Sequence, residues 1–269
     1  MEARKLLYGF QRYLWILAVF LFALLENLRW KDEYNNLFPY FAYTFGGVDV
    51  EDGVSFLSLL VSVVPYVIVL YLFSQTMAHD FKINCVYVFT RLGKKSAWLN
   101  RKTGELFLEM LAAYLLLFFM AFLLGVCSGL HLSALTLPLM GAYLALLFCN
   151  VGTLFVFSYF QNVLSLRCGG ARSFLYSMIL YVASLTGAFV LYGKGNAADF
   201  LMPFLPASNQ MYLWHKESAS FIGNISQNQL SGFRMIDSVI VLGAYAVTIY
   251  LVARRWLEKY DTVELMKEE

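Results

Sequence analysis

The 269-residue chain is 60% hydrophobic and only 14% charged, with 24 Phe, 18 Tyr and 5 Trp. Soluble domains are roughly 45–50% apolar and about 25% charged, so a water-soluble globular enzyme is excluded, and so much aromatic content excludes disorder. A net charge of +2, from 20 Lys+Arg against 18 Asp+Glu, argues against a nucleic-acid partner; the charges cluster in short stretches between long uncharged runs, the pattern of an integral membrane protein.

At the N-terminus, Ala3, Leu6, Leu7, Phe10, Tyr13 and Leu14 share one helical face, and Arg4, Lys5, Gln11 and Arg12 share the other. This periodicity predicts a basic amphipathic helix over 2–12, lying flat at the membrane interface through Arg4, Lys5, Leu6, Leu7, Phe10 and Arg12. The alternative is a frayed, positive start to the first span at about 13–28, which carries Glu26 in its far turn. A signal peptide would share the basic start and apolar middle, but no small-x-small cleavage site follows.

A crossing needs about 20 mostly apolar residues. The second span is predicted at 54–78, interrupted and kinked by Pro65. Residues 110–166 contain no Asp, Glu, Lys or Arg, a run of 57. At helical rise that is roughly 85 Å, two crossings and a turn. Spans at 106–128 and 134–160 follow, with the turn at 128–133 and Pro138 in the first turns of the second helix. Further spans are predicted at 173–193 and 236–256.

Six spans place both termini, 79–105 and 162–172 on one side. Those segments hold 15 of the 20 Lys+Arg, which predicts that both ends are cytoplasmic. The opposite first loop is acidic, with Asp32, Glu33, Asp49, Glu51 and Asp52. Cys85 and Cys168 fall in predicted cytoplasmic loops, Cys127 and Cys149 in spans; with no CxxC pair they are expected to be buried, reduced small hydrophobes.

The 79–105 loop mixes Ile83, Val86, Tyr87, Val88 and Phe89 with six basic residues. Composition supports two readings equally: docking into a groove of another protein, or lying on the membrane surface with basic side chains snorkelling. The 42-residue loop 194–235 is too apolar for free solvent and too broken for a span, which fits partly re-entrant helices capping the outer face. It also contains a glycosylation-acceptor match at Asn224, Ile225 and Ser226.

Catalytic motifs are missing. Gly93, Lys94, Lys95 and Ser96 lack the earlier glycine of a phosphate-binding loop, no GxSxG occurs, and His79, His131 and His215 do not form a metal-ligand spacing. No catalytic, cofactor or metal residue is expected. Glu26, Glu109 and Asp237 lie close to span ends, where carboxylates are usually interfacial rather than part of an ion path. Gly125 and Gly129 form a single GxxxG, best explained by packing within the bundle.

So arranged, the chain resembles the permease subunits of type-2 ATP-binding cassette (ABC) transporters. It shares the flat N-terminal helix, six spans, long 79–105 cytoplasmic loop and large outer loop before the last span. The sharpest local match is Asp80, then Arg91, Leu92, Gly93, Lys94 and Lys95, then Trp98 and Lys102. The resemblance implies that this loop supplies a coupling helix docking on a separate ATPase subunit through Asp80, Val86, Tyr87, Phe89, Arg91, Gly93, Lys94, Lys95 and Trp98. A smaller second contact near 161–172 would include Arg167. The fold expected is therefore an all-α membrane protein of six transmembrane helices, with the interfacial helix and re-entrant outer loop, in a bacterial plasma membrane. The function expected is export of an amphipathic, peptide or lipid-like compound, as in multidrug or peptide-antibiotic efflux. The chain would pair with a second permease copy or paralogue and bind no cofactor itself; ATP and Mg would be used by the partner. A stand-alone secondary transporter or channel is the alternative, and a membrane enzyme or anchor a third.

Overall fold

The computed structural model of the protein describes residues 2–29, 31–48, 50, 56–81, 95–132, 136–222 and 229–259. In chain order the elements are α1 (Glu2–Leu28), α2 (Lys31–Tyr34), α3 (Leu37–Phe45), α4 (Phe56–Leu72), α5 (Lys95–Cys127), α6 (Leu137–Cys168) and α7 (Gly170–Leu191). There follow α8 (Asn196–Leu201), four 3-10 turns between Met202 and Ser218, α9 (Ala219–Ile222) and α10 (Met235–Lys259). Among the described residues, six helices are long and apolar enough to cross a membrane: Gln11–Leu28, Ser62–Phe81, Lys95–Cys127, Leu137–Cys168, Gly170–Leu191 and Met235–Lys259. The chain is, on that count, a multi-pass membrane protein.

Several predicted boundaries move, each for a local reason. The backbone of α1 is one unbroken helix, so no break separates 2–12 from 13–28. Helix α4 runs straight through Pro65; the second span is interrupted instead at 73–75, and a helical segment resumes at 76–81. Helix α5 begins at Lys95 rather than 106, so Lys95 and Trp98 stand on a helix and not in a loop. At 33 residues it is about 50 Å long and overshoots a hydrocarbon layer of roughly 30 Å.

Helix α6 starts where the Thr136 hydroxyl accepts from the Leu139 N–H at 3.4 Å, with Pro138 in the first turn. It continues to Cys168, eight residues past the predicted end at 160. The short loop expected at 162–172 is therefore a helix–helix corner. Its pivot is Gly169, whose φ of 78° suits glycine. The Gln75 side chain lies against Gly170, leaving no room there for a Cβ.

The predicted acidic first outer loop hides a structured element. All of Leu37, Phe38, Pro39, Tyr40, Phe41, Ala42 and Phe45 of α3 are buried. Their rings interlock with the bundle: Phe38 meets Tyr143 at 4.9 Å between centroids and Phe221 at 5.5 Å, and Phe41 meets Phe118 at 5.2 Å. Gly125 leaves the space that the Leu37 side chain fills, so the GxxxG glycine packs within the bundle. The predicted turn at 128–133 pairs with the start of α3, Leu37 N–H donating to His131 C=O and His131 N–H to Asn35 C=O, each at 3.0 Å.

The 194–235 segment closes the same end. Trp214 is fully buried and its indole N–H donates to Val48 C=O at 3.0 Å. Part of the segment sinks between α7 and α10. Ala207 N–H donates to Ser184 Oγ at 2.9 Å, the Tyr181 hydroxyl lies 2.9 Å from Gln210 Nε2, and Tyr245 OH donates to Phe204 C=O at 2.7 Å. Ser184 and Tyr181 lie seven and ten residues before the end of α7, about 10 and 15 Å along its axis. The acceptor match at Asn224, Ile225 and Ser226 lies outside the described residues.

Candidate functional site

At the opposite, basic end the two arms of the 79–105 segment meet. The 76–81 segment delivers Asp80 and Phe81; the first turns of α5 deliver Lys95, Trp98 and Lys102. The Trp98 indole N–H donates to Asp80 Oδ2 at 3.2 Å, and Lys102 Nζ lies 3.1 Å from the same oxygen. Lys102 also reaches Glu105 Oε2 at 2.6 Å, and Arg101 Nε donates to Glu105 Oε1 at 2.7 Å. The Phe81 and Trp98 rings stand edge to face at 5.4 Å, both buried. An aromatic pair of this kind adds about 0.5–1.5 kcal/mol beyond its burial, whereas exposed ion pairs add about 0–1 kcal/mol. Packing holds the arms together; the charges orient them.

Of the predicted coupling residues, Asp80, Trp98 and their basic neighbour Lys102 thus form one cluster. Lys95 stands on the first turn of α5. Val86, Tyr87, Phe89, Arg91, Gly93 and Lys94 lie outside the described residues. Arg167 makes a different contact, its guanidinium lying over the Trp256 ring at 4.6 Å and tying α6 to α10. Of the predicted interfacial residues, the side chains of Arg4, Lys5, Leu6, Leu7 and Phe10 also lie outside the described set. Arg12 is placed: it pairs with Glu109 at 2.9 Å and covers the Phe73 ring at 4.9 Å.

The three carboxylates near span ends all have basic partners: Glu26 with Arg29 at 3.1 Å, Glu109 with Arg12, and Asp237 with Arg234 at 3.1 Å. Cys127, Cys149 and Cys168 are free thiols, with Cys149 buried and Cys127 exposed. Among the described residues no group of His, Cys, Asp or Glu could hold a metal ion.

Three further features escape a search for charges. Asn100 accepts from the Tyr250 hydroxyl at 2.6 Å, joining α5 to α10. Asn162, fully buried on α6, bonds to the backbone of the second span on both sides of its break. It belongs to a buried polar stripe on α6 with Asn150, Thr153, Ser158, Gln161 and Ser165. Neutral carboxamides in an uncharged run are the signal that would have found the last two.

At the far end, His215 is fully buried, stacked on Phe233 at 4.0 Å. Its Nδ1 lies 3.0 Å from the Met211 carbonyl, which can only accept, so Nδ1 carries the proton. Nε2 then accepts from the Ser238 hydroxyl at 2.8 Å. Burial penalises the imidazolium and pushes the pKa down to about 4.

No protein-family model matches the chain, and no curated protein or solved structure is significantly similar to it. The residues alone carry the functional reading.

Proposed function

We propose that the chain is the membrane-spanning permease subunit of an ATP-driven ABC exporter, working with a separate ATPase subunit and a second permease copy or paralogue. The observation that carries the reading is the Asp80–Trp98–Lys102 contact. It gathers residues of the resemblance's local pattern, 18 positions apart for the Trp98–Asp80 bond, at the base of a long helix. A push delivered to the intervening segment would pass directly into α5 and the second span. In this reading the basic end is cytoplasmic, the unbroken α1 carries residues 2–12 out of the first span on the inner side of a bacterial plasma membrane, and 204–210 form the re-entrant part of the outer loop. Irregular backbone at that depth is tolerated because the protein encloses it. The cargo would be amphipathic, peptide or lipid-like, and ATP and Mg would be handled by the partner.

The test is reconstitution into proteoliposomes with and without the ATPase subunit that co-purifies from native membranes. Transport is expected only with the partner and ATP. Arg91→Glu should leave insertion intact, keep ATP hydrolysis and abolish the transport tied to it. Cargo movement by the isolated chain would overturn the proposal, as would labelling of residues 79–105 from the cell exterior. Such autonomous movement would instead favour a secondary transporter or channel, the reading supported by the buried polar stripe on α6.

A further inference from the structure

The second span breaks where its own residues supply no cause. Phe73, Ser74 and Gln75 include neither glycine nor proline, and Pro65 sits in unbroken helix. Sharp interruptions otherwise arise where a side chain or water enters the ladder of backbone bonds. In a continuous helix the Met77 N–H would donate to the Phe73 carbonyl. Here it donates to Asn162 Oδ1 at 2.9 Å, while the Phe73 carbonyl accepts from Asn162 Nδ2 at 2.7 Å. A carboxamide, donor at one atom and acceptor at the other, fills one rung of the helix. Its remaining N–H reaches the Ser158 carbonyl at 2.9 Å, so the buried group is satisfied on its own helix as well.

Beyond the break, 76–81 is fastened away from α4. Met77 is fully buried, Asp80 and Phe81 meet α5, and Gln75 lies against Gly170 at the α6–α7 corner. Arg12, bound to Glu109, covers the Phe73 ring on the other side of the break. We infer that Asn162 is the positioning residue of the Asp80–Trp98–Lys102 cluster: its carboxamide splits the second span at 73–75, turning that point into a hinge and anchoring 76–81 to α6. This inference rests on bonds within the chain and goes beyond the export reading, so either can fail alone.

The experiment is a distance measurement by pulsed electron paramagnetic resonance on the isolated, reconstituted chain. Spin labels are placed at Val64→Cys in α4 and His79→Cys beyond the break, with the four native cysteines replaced. In Asn162→Ala the Met77 N–H and Phe73 carbonyl are free to bond each other, and the label separation should change by about 2–5 Å, within one helical pitch. Asn162→Asp should disturb the break once the carboxyl ionises, at a pH that burial raises well above the ordinary carboxylate range, because a carboxylate only accepts and would face the Phe73 and Ser158 carbonyls. A protonated carboxyl regains a donor, so the native separation should return reversibly as the pH falls. A residue that merely fills space would show no such titration. An unchanged separation in folded Asn162→Ala would overturn the inference. If that variant does not fold, the Asn162→Asp titration decides, and a pH-independent native separation overturns it. Failure of both variants to insert would also count against it, making Asn162 a general folding residue instead of a local pin.

Discussion

The two ends of the bundle are closed by different chemistry. At the far end, α3, the turn at 128–131 and the 194–235 segment share neutral backbone bonds and interlocked rings, with Trp214, Tyr212, Phe233 and His215 all buried. At the basic end, charged contacts orient helices that packing holds together: Arg12 with Glu109, Lys102 with Asp80 and Glu105, Arg167 over Trp256. Dense aromatic packing has one good arrangement, since interiors pack like crystals. Partly exposed ion pairs have several arrangements of similar energy. The far end is thus built to hold one shape, and the basic end can be rearranged at modest cost.

If that contrast is right, substitution at the far end should cost most. Trp214 packs against Phe189 at 5.3 Å and Tyr192 at 5.0 Å and holds the Val48 carbonyl. Trp214→Ala is expected to lose about 3–5 kcal/mol, read as a large fall in thermal unfolding temperature in detergent. A loss no greater than that of breaking an ion pair at the basic end would erase the distinction.

The far end should also be the acid-sensitive one. His215 titrates near 6.5 when unfolded, and its folded value is pushed down to about 4. A lowered histidine pKa means the unfolded chain binds the extra proton first. The contribution of His215 is therefore complete above pH 6.5 and is lost progressively as the pH falls from 6.5 towards 4. At about 1.4 kcal/mol per unit, the expected loss is roughly 3 kcal/mol. Denaturation midpoints measured across that window should slope in the native protein and flatten in His215→Gln.

At the basic end the effects should be smaller and dependent on salt. A double-mutant cycle on Arg12→Ala and Glu109→Ala is expected to give a coupling of about 1 kcal/mol, since both side chains remain roughly a third exposed. Raising ionic strength should shrink it; a coupling that salt leaves untouched would mean the pair behaves as core.

What could be read from the residues beforehand follows the same division. Hydropathy and span length expose six crossings, because a bilayer imposes one length scale on every helix. Asp80 and Trp98 could be singled out by their pattern, and the structure places the two in hydrogen-bond contact. Helix α3 was hidden by its acidic neighbours Asp32, Glu33 and Asp49, although the nine residues LFPYFAYTF are almost wholly apolar; too short to span, they need a protein wall. The break at 73–75 was illegible in principle. Its cause lies 89 positions away, and Pro65, the obvious suspect, sits inside helix α4.

The finest test of the contrast is at Lys102, whose side chain is 14% exposed between Asp80 and Glu105. Lys102→Met keeps most of the aliphatic stem but leaves two carboxylates near each other without their shared cation. Asp80→Asn keeps an acceptor for the Trp98 indole and removes one charge, so it should cost less. Because solvent screens Glu105, the expected losses are about 1 kcal/mol for the first and about 0.5 kcal/mol or less for the second, measurable as small shifts in denaturation midpoint. The pair Asp80→Asn with Lys102→Met should be milder than Lys102→Met alone, since neutralising Asp80 removes the repulsion that the lost cation exposed. Under the proposed function these variants would reduce transport far more than stability. A cluster that stores little folding energy yet sets the path between the 79–105 segment and α5 can change shape without unfolding the bundle. If transport and stability fell in proportion, the basic end would be only another part of the core.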